Sequence, residues 1–187
     1  MKILALLGSP HADGNTGTIL DLVAEQLGDH TFERVNLADH TISGCRACYT
    51  CQQVPDAPGC AVQDDAIALL DKVLEADVII YATPLYMWGI ASWLRNFMER
   101  HLSFVTGYMT GDWKSLVQDK SAALLVTAGG PEEGNADVVR TVFDRFADYG
   151  KVKNLGTYVV PLCTTPDELG EKGEGVARRL AADIAAQ

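Results

Sequence analysis

Strands and helices alternate down this chain, and the alternation predicts a doubly wound α/β fold built on a parallel sheet. Two observations carry that reading. The segments Ile3–Leu7, Val78–Ala82 and Ala122–Val126 are continuously apolar, as strands buried on both faces must be. Between the strands lie stretches whose apolar residues recur at helical spacing, and parallel strands need such crossovers.

Taken in order, Ile3–Leu7 is the first strand, and Gly8-Ser9-Pro10 breaks it. A helix then starts at about Asn15 or Thr16 and carries Ile19, Leu20, Val23 and Leu27. Glu33–Leu37 alternates and reads as an edge strand. A second helix runs from about Asp65 to Glu75 with Ile67, Leu70 and Leu74, started by the carboxylate of Asp64 or Asp65. After Val78–Ala82 comes a helix from about Ala91 to Phe104 with Leu94, Phe97, Met98 and Leu102. Ala122–Val126 leads to a helix from about Asp137 to Tyr149, stopped by Gly150. Thr157–Leu162 is the fifth strand, and Gly175 to Ala186 the last helix, with Val176, Leu180 and Ile184 on one face. Ligands in such sheets bind beyond the carboxyl ends of the strands, where the strand order reverses. Three loops therefore share one site: Gly8–Gly17, Thr83–Gly89 and Thr127–Gly134.

The first loop has the chemistry of an anion site. A helix N-terminus presents unpaired N–H groups, and the hydroxyls of Ser9 and Thr16 stand beside them. The same residues also suit an ordinary strand-to-helix turn capped by Asn15 or Thr16. The second loop carries Tyr86, Met87 and Trp88, whose faces suit a flat ring; packing beneath the following helix is the competing use. In the third, Ala128, Gly129 and Gly130 let a ligand approach the backbone closely. A phosphate site, an aromatic loop and a glycine loop together suit flavin mononucleotide, FMN. No G-x-G-x-x-G or second phosphate loop points to a dinucleotide.

Composition narrows the partners. The 187 residues suit a single domain spanning 1–187 with a full core. A net charge of −10 argues against nucleic acid and anionic membrane surfaces, while one phosphate held by backbone amides remains compatible with it. No apolar run approaches the ~20 residues of a membrane span, and Ile3–Leu7 is too short for a signal peptide. A cytoplasmic protein is expected. No Ser, His and Asp set stands in a hydrolytic arrangement.

Gly8-Ser9-Pro10 with Gly14-Asn15-Thr16, then Thr83-Pro84-Leu85-Tyr86, then Leu94-Arg95-Asn96-Phe97-Met98-Glu99-Arg100 resemble the NADPH-dependent FMN reductase superfamily. More narrowly, Cys45-Arg46-Ala47-Cys48-Tyr49-Thr50-Cys51 and Gly59-Cys60 are similar to its iron–sulfur flavoprotein branch. The resemblance runs from Met1 to about Gly134. It implies a flavodoxin-like, three-layer fold with a five-stranded parallel sheet of order 2-1-3-4-5. It also implies FMN, with its phosphate at Ser9, His11, Asn15, Thr16 and Gly17 and its ring against Pro84, Leu85, Tyr86, Met87, Trp88, Ala128, Gly129 and Gly130. A neighbouring subunit is implied over the ring, giving a homodimer or homotetramer, with Trp113, Tyr108 and Met109 adding apolar surface. Two departures stand out. His11 occupies a position where relatives often carry arginine, and eight residues with two prolines separate Cys51 from Cys60.

Three uses of Cys45, Cys48, Cys51 and Cys60 stay open: a 4Fe-4S cluster, a structural zinc, or no metal at all. Cys163 reads as a small core residue. The expected activity is an FMN-dependent oxidoreductase linked to NAD(P)H or a small electron carrier, with a quinone or flavin acceptor, and with electron exchange between cluster and FMN if the cysteines hold a cluster. The alternative is a flavodoxin-like electron carrier without its own small-molecule substrate.

Overall fold

The computed structural model describes residues 1–107 and 110–187. Numbering only the strands of the parallel sheet, the order of elements is β1 (Lys2–Leu7), α1 (Asn15–Leu27), β2 (Thr31–Asn36), α2 (Ala66–Glu75), β3 (Val78–Tyr86), α3 (Ser92–Glu99), β4 (Ser121–Thr127), α4 (Asp137–Gly150), β5 (Lys153–Val160) and α5 (Gly170–Ala185). The strands lie β2-β1-β3-β4-β5, all parallel. The expected order is the observed one.

Side-chain alternation along the strands makes the layers. Ile3, Ala5 and Leu7 face α1 and α5, packing with Ile19, Leu20, Val23, Val176, Leu180 and Ile184. Leu4 and Leu6 face the opposite way, into a core shared with Leu70 of α2, Phe97 of α3 and Phe143 of α4. A central strand buried on both faces has no place for a polar side chain, which is why β1 reads as an unbroken apolar run. Among the described residues no helix is long and apolar enough to cross a membrane.

Five elements differ from the sequence expectation by more than one residue, each for a tertiary reason. β2 is Thr31–Asn36, because its register against β1 starts at Lys2↔Thr31, and Leu37 opens a 3₁₀ turn. β3 continues past Ala82 to Tyr86, still paired with β4 at Pro84↔Thr127. The α3 segment winds tighter after Glu99, becoming a 3₁₀ helix over Arg100–Phe104 in which the Ser103 hydroxyl donates to the Arg100 carbonyl at 2.8 Å. β5 is Lys153–Val160, not Thr157–Leu162, because its register against β4 starts at Ser121↔Lys153, and the Leu162 N–H turns away to the Gly130 carbonyl. Finally α5 begins at Gly170, not Gly175. Glycine costs about 1 kcal/mol per helical position relative to alanine. Packing overrides that cost: a Cβ on Gly173 would stand 2.8 Å from Ile19 Cδ1, so glycine lets α5 approach α1.

Two smaller details also shift. Gly150 is the last residue of α4, and Lys151 takes the left-handed position after it, with φ 54°. α1 has Gly14 at its N-cap and no side-chain cap.

Under α3 the core contains a polar pair. His101 and Tyr81 are buried among Phe97, Phe104, Phe143 and Phe146, with Tyr81 Oη 2.9 Å from His101 Nε2 and His101 Nδ1 3.1 Å from the Phe97 carbonyl. A carbonyl only accepts, so Nδ1 carries the proton and Nε2 accepts from the tyrosine hydroxyl. Burial favours the neutral ring and pushes its pKa down to about 4 from 6.5. The folded state thus binds fewer protons than the unfolded one across that interval, and stability falls as pH falls from 6.5 towards 4. The group's share is about 3 kcal/mol at 1.36 kcal/mol per unit. Urea unfolding at several pH values is expected to show a loss over this window that is smaller by about that amount in His101→Gln.

Candidate functional site

β1 pairs with β2 on one edge and β3 on the other, so the chain leaves the carboxyl ends of these strands in opposite directions and a cleft opens between them. The cleft measures about 470 Å³ and is lined by Ser9, His11, Gly14, Asn15, Thr16, Pro84, Leu85, Tyr86, Thr127, Gly129 and the loop Cys163-Thr164-Thr165-Pro166. That size is ordinary for a small-molecule or cofactor site. In a chain of net charge −10, none of these lining residues is a carboxylate.

Close approaches build the floor. A Cβ on Gly8 would fall 2.5 Å from Leu94 Cβ, so glycine lets β1 end directly beneath α3. A Cβ on Gly17 would fall 1.8 Å from the Ala12 carbonyl oxygen, so glycine lets the loop fold against α1. With no side-chain cap, the first N–H groups of α1 have no partner within the helix. Thr16 is buried, its hydroxyl 2.7 Å from that of Thr127. Asn15 Oδ1 is buried without a hydrogen-bond partner in a side chain that lines the cleft. Because an asparagine amide can turn over, this side chain can offer a donor to a phosphate oxygen or an acceptor to a hydroxyl.

Thr83 fixes the other wall. Its hydroxyl accepts the Ala91 N–H at 3.0 Å, anchoring the start of α3. Beyond it β3 pairs with the two-residue strand Gly89–Ile90 through a turn at Met87 and Trp88, both left-handed with φ of 48° and 58°. Non-glycine residues pay for that conformation, here held by the ladder on either side. Tyr86, Met87 and Trp88 are 45%, 86% and 56% exposed and so do not pack beneath the following helix.

Of the expected site residues, Ser9, His11, Asn15, Thr16, Pro84, Leu85, Tyr86 and Gly129 meet in the cleft. Met87, Trp88 and Gly130 line an adjoining groove with Leu85, Gly129 and Asn135. Gly17 and Ala128 stand behind the lining, and Ala128 is tied by its N–H to the Val160 carbonyl at 2.9 Å. Sequence reasoning placed Thr127 in the third loop without giving it a role, and it passed over the 163–166 wall. A Thr-x-x-Glu capping box at Thr165 and Glu168 was the available signal. Glu168 takes the N–H groups of Thr164 and Thr165, bonds that hold its carboxyl below the usual range and fix this wall. Cys163 is buried as expected and also lines the cleft; burial pushes its thiol up. Trp113 packs edge-on against Tyr149 at 4.7 Å, while Tyr108 and Met109 lie outside the described residues.

The second cysteine group lies after β2. Cys45, Cys48, Cys51 and Cys60 line one small concavity with Tyr49, Val62, Arg100 and Leu102. All five cysteines of the chain are free thiols. Gln52 docks the loop on the end of the 3₁₀ helix, donating to the Leu102 carbonyl at 3.4 Å and to the Val105 carbonyl just beyond it at 2.7 Å. Burial raises the Cys51 thiol, with the nearby sulfurs Cys60, Cys45 and Cys48 adding to the rise, whereas bonds from Thr50 lower exposed Cys48. Among the described residues no group of three or more His, Cys, Asp or Glu side chains is arranged to hold a metal ion.

Sheet order and a carboxylate-free cleft at the reversal point define a flavodoxin-like protein with a site open to an anionic ligand. The chain belongs to the NADPH-dependent FMN reductase family, whose model matches residues 1–167. It is 27% identical over 187 residues to an iron–sulfur flavoprotein of Archaeoglobus fulgidus, across 99% of this chain and 79% of the relative. It is also 33% identical over 112 residues to an iron–sulfur flavoprotein of Methanocaldococcus jannaschii, across 58% of this chain and 55% of the other. Among solved structures, the NAD(P)H:quinone oxidoreductase of Methanothermobacter marburgensis aligns with a TM-score of 0.74 at 20% identity, covering 99% and 97% of the two chains. An FMN-dependent NADH-azoreductase of Bacillus anthracis, solved with FMN, aligns at 0.68 and 12% identity over 99% and 100%. Those two likenesses establish the fold.

The residues present fit FMN: the first turn of α1 is unpaired, Asn15 Oδ1 lacks a partner, and no lining carboxylate repels a phosphate. The double variant Asn15→Ala/Thr16→Ala is expected to weaken FMN by about 1–3 kcal/mol, the loss associated with charge-assisted hydrogen bonds. Fluorescence titration with FMN measures it, and unchanged affinity would remove these side chains from the phosphate site.

Proposed function

We propose that this chain transfers electrons from NAD(P)H to a quinone or flavin acceptor through FMN, and that its cysteine loop carries a 4Fe-4S cluster. The observation that carries the FMN site is the absence of carboxylates from the lining of the cleft in an acidic chain. FMN, when bound, supplies the exchange between paired and single electrons. The amides at the start of α1, with Ser9 and Thr16, hold its phosphate, and Asn15 meets either the phosphate or a neighbouring hydroxyl. Pro84, Leu85 and Tyr86, with the glycines of the 128–130 loop, would hold the ring. Cys163 to Pro166 would form a further wall beside the bound cofactor.

For the cluster, the donor set is the support: four thiols on one concavity, three of them at two-residue spacing. Among the described residues the cysteines are not gathered to hold a metal ion, so this reading requires Cys45, Cys48 and Cys51 to close on Cys60. Cys45, Cys48, Cys51 and Cys60 would be its ligands. We place the protein in the cytoplasm, where such thiols stay reduced.

Anaerobically purified protein is expected to hold FMN with about four iron and four sulfide per chain, and to oxidise NAD(P)H steadily with a quinone or free flavin. Cys48→Ser is expected to lose the iron and keep FMN. FMN without iron would leave a simple flavin reductase. FMN without turnover would favour the electron carrier.

We further propose that the exposed Tyr86-Met87-Trp88 turn meets a second copy of the chain over the cleft, forming a homodimer or homotetramer. Sedimentation is expected to give a multiple of 20.2 kDa that falls towards the monomer in Trp88→Asp; a wild-type monomer at micromolar concentration contradicts this.

A further inference from the structure

Arg100 is the one large cation in the interior of the described residues, its side chain 0% exposed. Every nitrogen of its guanidinium is engaged. Nη1 donates to both oxygens of Asp64, at 3.0 and 2.8 Å, and to the Ser43 carbonyl at 3.1 Å. Nη2 donates to the Val62 carbonyl at 2.7 Å, and Nε to the sulfur of Cys60 at 3.2 Å. Ser43 also donates to Asp64 through its N–H and its hydroxyl, at 3.0 and 2.8 Å. One guanidinium thus ties the start of the cysteine loop to its end and touches one of the four thiols.

Holding the loop closed explains the Ser43, Val62 and Asp64 contacts. It does not explain the Nε–H contact, because a thiol is a weak acceptor and returns little for a buried, charged N–H. A thiolate, or a sulfur bound to a metal cluster, returns far more, since a charge-assisted bond is about twice as strong as a neutral one. We infer that Arg100 is a positioning residue for Cys60 and sets the reduction potential of the cluster proposed above. This rests on the cluster reading. A donor on a ligating sulfur stabilises the reduced, more negative form, and so raises the potential. Asp64 opposes it: its charge, 2.8 Å from Nη1, offsets much of the guanidinium field at Cys60. The two residues therefore act in opposite directions on one sulfur. A scaffold role alone predicts no such antisymmetry.

Redox titration followed by electron paramagnetic resonance on anaerobic wild type, Arg100→Lys and Asp64→Asn, with iron and FMN counted in each, tests the inference. Lysine keeps the charge and loses the planar fork; asparagine keeps the acceptor and loses the charge. The expected result is a more negative cluster potential in Arg100→Lys and a more positive one in Asp64→Asn, with FMN retained in both. Arg100→Lys is also expected to release iron to a chelator at least about 10-fold faster, the scale on which outer-sphere partners act. Unchanged potentials, or shifts of the same sign, overturn the inference while leaving the cluster reading intact. Should Arg100→Lys not fold, the near-isosteric Asp64→Asn decides alone: a positive shift supports the inference and none overturns it. Wild-type protein with FMN and no iron removes the cluster reading and this inference together.

Discussion

The strand Lys2–Leu7 is paired on both edges and buried on both faces, and the rest of the molecule is arranged around that constraint. With neighbours on each side, the chain can leave β1 only through its carboxyl end. There Gly8 passes so close to Leu94 that any side chain would collide. One helix is sent to each face, and the cleft is the space left between the diverging connections. Its position follows from topology, before any lining residue is specified.

What the lining specifies is electrical. The chain carries excess negative charge overall, yet the cleft contains hydroxyls, an amide, a histidine and backbone N–H groups. Partial positive charge at a helix N-terminus is enough for a phosphate when no carboxylate competes nearby. Glu168, two residues beyond this wall, is turned to the amides of its own capping box. The same residues thus fix the wall and keep its charge occupied.

The cysteine loop is anchored differently. It has little regular structure, with Ala47 and Tyr49 in left-handed conformations and a short 3₁₀ turn at Thr50–Gln53. Its order comes from Gln52 and Arg100, both reaching across to or from the 3₁₀ extension of α3. That extension also carries His101 into the aromatic core. One tightened turn therefore serves the core, the buried ion pair and the thiol group together.

The sequence by itself determined the sheet class, the glycine-bounded loop before α1 and the cysteine group, because periodicity, glycine placement and thiol spacing are local properties. Unbroken apolar runs marked the strands, and the start expected for α1 at about Asn15 or Thr16 includes its first residue, Asn15. Tertiary structure alone decided how far those elements run and what closes the site. β2 took its start from register with β1, and α5 gained its glycine-rich first turns because Gly173 packs on Ile19. Thr127 and the 163–166 wall join the cleft through sheet order, which places the end of β5 beyond β4. Arg100 reads as one charge on a helical face; only folding brings it to Ser43, Cys60, Val62 and Asp64, up to 57 positions away along the chain. Contacts at that separation leave no period in a sequence, since they are set by which elements the sheet makes neighbours.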